Sequence, residues 1–220
     1  MSNVRPHVVK HLVLVGDSIL DNASYTAGGP AVIAQVQEQL PNDWKATLSA
    51  VDGSTTEEIP AQLAAVPQDA THLLLCVGGN NALMQVQVLE APVASSGEAF
   101  VLLSEVVREF ESAYRSTVDA CLAMSLPLVV CTVYNCNFPD PVFQKRATVA
   151  LTAFNDVIIR VAIDRHLRVI DLRLVCASPE DYANPIEPSS IGGAKIARAI
   201  VRAVTTPQHK THGAHVVGVA

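Results

Sequence analysis

Short apolar runs rich in valine and leucine alternate along this chain with longer segments of helical periodicity. The runs cover residues 12–15, 46–51, 73–77, 126–133 and 169–172. The helical segments cover residues 30–40, 57–66, 98–124, 141–165 and 191–204. Continuously apolar strands are buried on both faces, and strands that alternate with helices form a parallel sheet. The pattern therefore predicts an α/β fold, a three-layer α/β/α sandwich around a five-stranded parallel sheet.

The composition is typical of one folded domain. Half of the 220 residues are hydrophobic and 16% are charged, which excludes a disordered chain. No linker-like break interrupts the alternation before about residue 205. We therefore predict one domain over residues 1–204 and a flexible C-terminal tail over residues 205–220.

Charge and hydropathy disfavour several classes of partner. The net charge is −6 and the 15 lysines and arginines are scattered, which argues against nucleic-acid binding. No apolar run reaches the ~20 residues of a membrane helix. The polar N-terminus and the short apolar stretch after it do not form a signal peptide, so we expect a cytoplasmic protein. The five cysteines contain no C-x-x-C pair, and we expect reduced thiols and no metal or cofactor.

Small and amide residues follow four of the five predicted strands. Reactive groups of an open parallel sheet collect where the strands end. The residues at these positions are 16–18, 52–54, 78–81 and 134–137. They predict a pocket that presents backbone N–H groups and amide donors to a developing negative charge.

The sequence Gly-Asp-Ser-Ile-Leu at residues 16–20 resembles the GDSL block of the SGNH/GDSL hydrolases. Gly53 falls where the second block of that family has its glycine, and Gly-Gly-Asn-Asn at residues 78–81 resembles the G-x-N-D block. The resemblance spans about residues 10–204 and implies a flavodoxin-like topology and hydrolysis of an ester or acyl group. It also implies that Ser18 is the nucleophile, and that the Ser18 N–H, Gly53 and Asn80 form the oxyanion hole.

The chemistry of these blocks agrees with that assignment. A serine between a strand and a helix start exposes its hydroxyl at the sheet edge, where helix N–H groups favour an anion. Gly53 lets its backbone approach a ligand closely. An amide donor such as Asn80 stabilises an oxyanion by about 3–4 kcal/mol. Two simpler interpretations stay open: residues 17–18 as a helix or turn cap, and residues 78–79 as a plain turn.

The fifth block of the family, D-x-x-H-P with a glycine five residues after the histidine, is altered here. One register aligns Asp181 with the aspartate and Asn184 with the histidine, but lacks the glycine. The other aligns Asn184 with the aspartate and Glu187 with the histidine, and Gly192 then falls at the expected spacing. We adopt the second register, in which Glu187 is the candidate base and Asn184 donates to its carboxylate and orients it. Asn81 likewise replaces the aspartate of the third block.

None of the seven histidines is a clear replacement. His11, His72 and His166 precede strands and belong to the opposite edge of the sheet, and His7 lies in the N-terminal arm. The remaining histidines lie in the tail, at positions 209, 212 and 215. No ordinary Ser-His-Asp triad can be assembled. A free glutamate is the weaker base, with a pKa of about 4.3 against about 6.5 for histidine.

Two functions compete at this point. The first is an esterase-like hydrolase of a small-molecule ester or acylated substrate, in which Glu187 takes the Ser18 proton. The second is a non-catalytic protein that binds an anionic or acyl ligand on the same fold. In either case the candidate lining residues are Asp17, Asn81, Tyr134 and Asn135. An FMN-binding domain is disfavoured because the first loop is no phosphate loop, and the sequence leaves the oligomeric state open.

Overall fold

The strands of the protein form one parallel sheet. The computed structural model describes residues 9–207 and the backbone of residues 215–217. The strands are β1 (Lys10–Gly16), β2 (Trp44–Leu48), β3 (His72–Cys76), β4 (Leu128–Cys131), β5 (Arg168–Ile170) and β6 (His215–Val217). They lie in the order β2-β1-β3-β4-β5-β6, and each neighbouring pair is parallel. The five predicted strands and their parallel arrangement are confirmed.

The sixth strand is an addition that the sequence analysis missed. β6 pairs with β5 from Arg168↔His215 to Ile170↔Val217 and covers the edge that β5 would otherwise expose. A strand of three residues is too short to show a period in the sequence. β6 belongs to the segment predicted as a tail, so this part of the tail has a defined backbone. The flexibility predicted for residues 208–214 and 218–220 concerns positions outside the described residues.

Six α-helices of the described residues flank the sheet. They are α1 (Val32–Gln39), α2 (Ile59–Ala64), α3 (Gly79–Leu83), α4 (Ser96–Ala123), α5 (Pro141–Asp164) and α6 (Ser190–Thr205). On one face α1 packs against α6, and on the other α4 packs against α2 and α5. The three long helices each have a side-chain N-cap. Ser95, Asp140 and Ser189 accept backbone N–H groups of the first turn. None of the helices within the described ranges is long and apolar enough to cross a membrane.

The contact between β1 and β3 positions the first and third sequence blocks side by side. Gly16 pairs with Cys76 at the carboxyl ends of the two strands. Gly16 has a φ of +149°, and a Cβ built there would lie 1.8 Å from the Cys76 carbonyl oxygen. Only glycine allows this approach. The residues that follow the two strands therefore lie next to each other.

The chain leaves β2 earlier than predicted. The predicted strand reaches residue 51, whereas β2 ends at Leu48. The N–H groups of Ser49 and Ala50 both donate to the Leu14 carbonyl, at 2.8 and 2.9 Å, and Val51 N–H donates to Gly16. This bend brings the second block toward the end of β1.

Candidate active site

An apolar cavity of about 80 Å³ lies beside Ser18 at the carboxyl edge of the sheet. Its walls come from α3 and the 3-10 helix Val86–Glu90 that follows, and from α4 and α5. The apolar lining residues include Leu83, Val86, Leu89, Leu103, Val106, Ala147, Ala150, Leu151 and Phe154. Asp17, Ser18, Asn80 and Glu187 are polar lining residues. The cavity combines an apolar compartment with a small group of reactive side chains.

Ser18 lies in the tight turn that follows β1. The Leu20 and Asp21 N–H groups both donate to the Asp17 carbonyl at 3.1 Å, which closes the turn around Ser18. Ser18 is 5% exposed. Its own N–H donates to no group in the described part of the chain. Ser18 therefore lies in a turn and not at a helix start, since α1 begins at Val32, within the helix predicted over residues 30–40. The turn itself presents the hydroxyl and the free N–H of Ser18.

Glu187 meets Ser18 in the cavity. Glu187 is 6% exposed, and its Oε2 atom is buried without a hydrogen-bond partner in the described residues. Burial raises the pKa of Glu187, a hydrogen bond with the Ser18 side chain lowers it, and the negative charge of Asp52 raises it further. Ser18 and Glu187 therefore lie on the same side of the cavity, with the carboxyl group of Glu187 beside the serine hydroxyl.

Asn184 supports Glu187 in a different way from the one expected. Its Oδ1 accepts the backbone N–H groups of Ile186 and Glu187, both at 2.9 Å. The expected donation from Asn184 to the Glu187 carboxylate is therefore wrong. The side chain is exposed and is used in a turn of the backbone, a conformation that asparagine favours. Asn184 positions the main chain at Glu187.

The loop that carries Glu187 is held from several sides. The Tyr134 hydroxyl donates to the Ile186 carbonyl at 2.8 Å, and Asn137 N–H donates to Pro185 at 2.8 Å. On the other side, Asn22 Nδ2 donates to the Pro188 carbonyl at 3.2 Å. These contacts fix the backbone on both sides of Glu187, so the carboxyl does not depend on Asn184 alone.

Of the three residues predicted to form the oxyanion hole, Ser18 and Asn80 line the cavity and Gly53 does not. Asn80 Nδ2 donates one hydrogen to the Ser54 carbonyl at 2.9 Å, which leaves the second for a ligand. Gly53 has a φ of +80° and lies next to Ser54, but it is exposed and is not among the cavity-lining residues. The Gly53 N–H, like that of Ser18, donates to no described group.

Asp17 is the most buried ionisable group of the site, with 1% exposure. Its Oδ1 accepts the Ile19 N–H at 3.1 Å, whereas its Oδ2 is buried without a partner in the described residues. Burial raises the pKa of Asp17 to about 7; the bond from Ile19 opposes the rise and the charge of Glu187 adds to it.

The other predicted lining residues divide into two groups. Tyr134 lines the cavity, as Asp17 does. Asn81 does not, because its amide is bonded to Thr56, accepting from the backbone at 3.1 Å and donating to the hydroxyl at 2.9 Å. Asn135 lines a separate, more polar cavity that contains Arg173. Asn81 therefore ties the second block to the third, and Asn135 lies outside the Ser18 cavity.

Two buried amides that hold the site were missed in the sequence analysis. Gln62 accepts the Gly16 N–H and donates to the Gly16 carbonyl, both at 2.8 Å, and donates to Ser54 at 3.1 Å. Asn22 accepts the Val32 N–H at 2.8 Å in addition to its bond to the Glu187 loop. Both amides lie in segments without a recognisable motif, and no sequence signal distinguishes them from amides that are exposed to solvent.

The histidines in the described residues lie away from the cavity. His11 is buried at the amino end of the sheet, where it bonds Asp69 at 2.9 Å and Thr47 at 2.7 Å. His72 begins β3, and His166 precedes β5. His7, His209 and His212 fall outside the described residues. No described histidine lines the cavity around Ser18.

Asp181, the aspartate of the rejected register, is held in place by buried contacts and does not line the Ser18 cavity. It is fully buried, forms an ion pair with Lys195 at 2.6 Å and accepts the N–H groups of Ala177 and Ser178. A Cβ at Gly192 would lie 2.2 Å from the Asp181 carbonyl oxygen, which explains a glycine at that spacing. Glu187, and not Asn184, is the residue that lines the cavity with Ser18.

The model of the GDSL-like lipase/acylhydrolase family matches residues 14–192, most of the chain. The chain belongs to this family. The fold of this GDSL-like protein is also that of known lipases and esterases. A lipase from a goat rumen metagenome is 18% identical, with a TM-score of 0.68 over 88% of this chain and 97% of the other. No curated protein matches in sequence.

Two further solved structures share the fold. An extracellular lipase from Streptomyces rimosus has a TM-score of 0.64 and 15% identity over 90% of this chain and all of its own. An acetylxylan esterase from Geobacillus stearothermophilus has a TM-score of 0.59 and 18% identity, over 90% of this chain and 95% of the other. At these identities the likeness establishes the three-layer fold of this GDSL-like protein and not its substrate.

Proposed function

We propose that this GDSL-like protein is a serine esterase for small esters with an apolar acyl group, with Ser18 as nucleophile and Glu187 as general base. The observation that carries the proposal is the contact between Ser18 and Glu187 at the polar end of the apolar cavity. The raised pKa of Glu187 supports the proposal, because it brings a glutamate closer to the basicity of the histidine it replaces.

The reaction would follow two steps, acylation of Ser18 and hydrolysis of the acyl-serine. Ser18 Oγ attacks the ester carbonyl carbon while its proton passes to the Glu187 carboxylate. The oxyanion is stabilised by the Ser18 N–H and by the free hydrogen of Asn80, since both residues line the cavity and Gly53 does not. When the intermediate collapses, the alkoxide takes the proton from Glu187 and leaves an acyl-serine. A water molecule then attacks the acyl-serine, gives its proton to Glu187, and Ser18 recovers it as the acid departs.

The acyl group fits the apolar side of the cavity. A volume of about 80 Å³ holds roughly five to eight groups the size of water or a methylene. The lining residues from α4 and α5, such as Leu103, Val106 and Leu151, offer no charged group to the chain. We therefore expect esters of medium-length fatty acids to be better substrates than acetate esters.

A second function is favoured by the substitution at the base position. Glutamate is intrinsically about 2 pKa units less basic than histidine, and the apolar cavity would hold an acyl ligand whether or not it is hydrolysed. In this alternative the protein binds an anionic or acylated ligand without turnover. The two functions differ in whether Ser18 becomes acylated.

The test is hydrolysis of p-nitrophenyl butyrate and hexanoate by the wild type, Ser18→Ala and Glu187→Gln. We expect Ser18→Ala to abolish activity and Glu187→Gln to lower kcat by at least about a hundredfold, the usual value of a general base. Ser24→Ala and Glu57→Gln, which change exposed residues, are the matched controls. A fluorophosphonate that labels the wild type and not Ser18→Ala reports the nucleophile directly.

The outcomes separate the two functions. Loss of both turnover and labelling in Ser18→Ala supports the esterase. Full activity in Glu187→Gln removes Glu187 from the mechanism. A wild type that neither turns over the esters nor reacts with the fluorophosphonate, yet binds hexanoate, supports the ligand-binding protein.

A further inference from the structure

Two carboxyl groups, and not one, face the Ser18 cavity. Asp17 and Glu187 both line it, and each has one buried oxygen without a hydrogen-bond partner in the described residues, Oδ2 of Asp17 and Oε2 of Glu187. Buried carboxylate oxygens are normally paired, since an unpaired charge in an apolar site is strongly unfavourable. Two unpaired carboxyl oxygens at one site indicate that one of the two carboxyl groups is protonated.

Within the described part of the chain, the cavity lining contains no positive charge to neutralise the pair. The described residues that line the cavity include no lysine, arginine or histidine. The groups that act electrostatically on Asp17 are the acids Glu187 and Asp52, and the Asp17 charge in turn acts on the neutral side chains of Cys76 and Tyr134. Two nearby carboxyls without a cation do not both ionise readily, so the pair retains one proton.

The hydrogen bonds and burial decide which carboxyl keeps the proton. Asp17 is the more completely buried of the two, and its one hydrogen bond comes from the Ile19 N–H. Glu187 is partly desolvated and has the Ser18 hydroxyl to stabilise its charge. Asp17 therefore loses more by ionising than Glu187 does.

We propose that the pair of carboxyls formed by Asp17 and Glu187 retains one proton, that Asp17 holds it, and that Glu187 stays ionised as the base for Ser18. The role of Glu187 as base rests on the proposed function. The location of the proton on Asp17 does not depend on catalysis and can be tested without a substrate. Asp17 is then an uncharged positioning residue beside the oxyanion site. Once Asp17 ionises, its negative charge opposes the oxyanion that forms on the same side of the cavity.

The proton can be observed without any substrate. At about pH 6 ordinary carboxyl groups are ionised, so the C=O infrared band of a protonated carboxyl reports a retained proton. We expect this band in the wild type and in Glu187→Gln, and its loss in Asp17→Asn. Asp52→Asn, which changes an exposed acid of the same neighbourhood, is the control and should keep the band. A wild type without the band, or a band lost in Glu187→Gln and kept in Asp17→Asn, overturns the proposal.

The pH profile of kcat/KM tests the catalytic consequence. In the wild type we expect a rise as Glu187 ionises and a fall as Asp17 ionises. Asn resembles the protonated aspartate in shape and keeps the oxygen that accepts from Ile19, so Asp17→Asn should keep the rise and lose the fall. An alkaline fall that persists in Asp17→Asn contradicts the assignment. If no ester is hydrolysed at all, the esterase proposal fails while the infrared band still decides where the proton lies.

Discussion

The substitution Ala150→Phe tests whether the apolar cavity determines acyl-chain preference. Ala150 lies on α5 and lines the cavity together with Ala147 and Leu151. A phenyl ring at this position adds six carbons to a space that holds roughly five to eight methylene-sized groups. We expect Ala150→Phe to lose activity toward long acyl chains and to keep activity toward acetate esters, since the ring occupies acyl space and leaves Ser18 unchanged.

The size of the effect follows from the apolar surface that the chain buries. Each methylene transferred from water stabilises the bound state by about 0.8 kcal/mol, which corresponds to about fourfold in kcat/KM. From butyrate to octanoate the wild type should gain up to about 3 kcal/mol, or ~200-fold. In Ala150→Phe the same comparison should give less than about tenfold, because the added methylenes stay in water.

The assay is kcat/KM for p-nitrophenyl esters of increasing chain length. Val149→Phe is the matched control, because Val149 is the neighbouring residue on α5 and is 64% exposed. An unchanged chain-length profile in Ala150→Phe would refute the assignment of this cavity to the acyl group. An equal effect in Val149→Phe would mean that the change acts through the helix and not through the cavity.

Three further predictions concern the stability of the site, each measured by urea unfolding. Burial raises the folded-state pKa of Asp17 to about 7 from 3.8, so the wild type should lose up to about 4 kcal/mol of unfolding free energy as the pH rises from about 4 through 7. Asp17→Asn should lack this loss, and an equal pH dependence in both proteins would contradict the buried proton. Gly16→Ala should abolish folding or cost more than about 4 kcal/mol, because its Cβ overlaps the Cys76 carbonyl; a milder loss would mean that the strands can separate there. Asn155→Ala should cost about 2–4 kcal/mol, since Asn155 bonds both the N–H and the carbonyl of Val133 at 2.8 Å; a neutral result would show that water replaces the amide.

The fold could be predicted because its signals are local. An apolar run such as residues 73–77 is buried on both faces, and its neighbours in the sequence show the helical period. Element ends were less accurate. The segment predicted to continue to residue 51 leaves the sheet at Leu48, since Ser49 and Ala50 share one carbonyl of β1. β6 was missed because three residues carry too little pattern.

The position of a residue at the cavity could be predicted where that residue follows a strand end. Ser18 and Asn80 directly follow or adjoin strand ends, and both line the cavity. Asn81 has the same local position as Asn80 but is bonded to Thr56, because consecutive residues point in different directions. Their position after the strand does not distinguish the two asparagines; only the resemblance to the G-x-N-D block assigned different roles to Asn80 and Asn81.

The sequence by itself determined the alternation of the first five strands with helices and the segments that follow each strand end, because periodicity is a property of the chain. Only the tertiary structure decided that Glu187 and Ser18 line one cavity, that Asn184 bonds the backbone, and that Asp17 is buried beside them. Burial raises the pKa of both acids, and it arises from residues that are distant in the sequence.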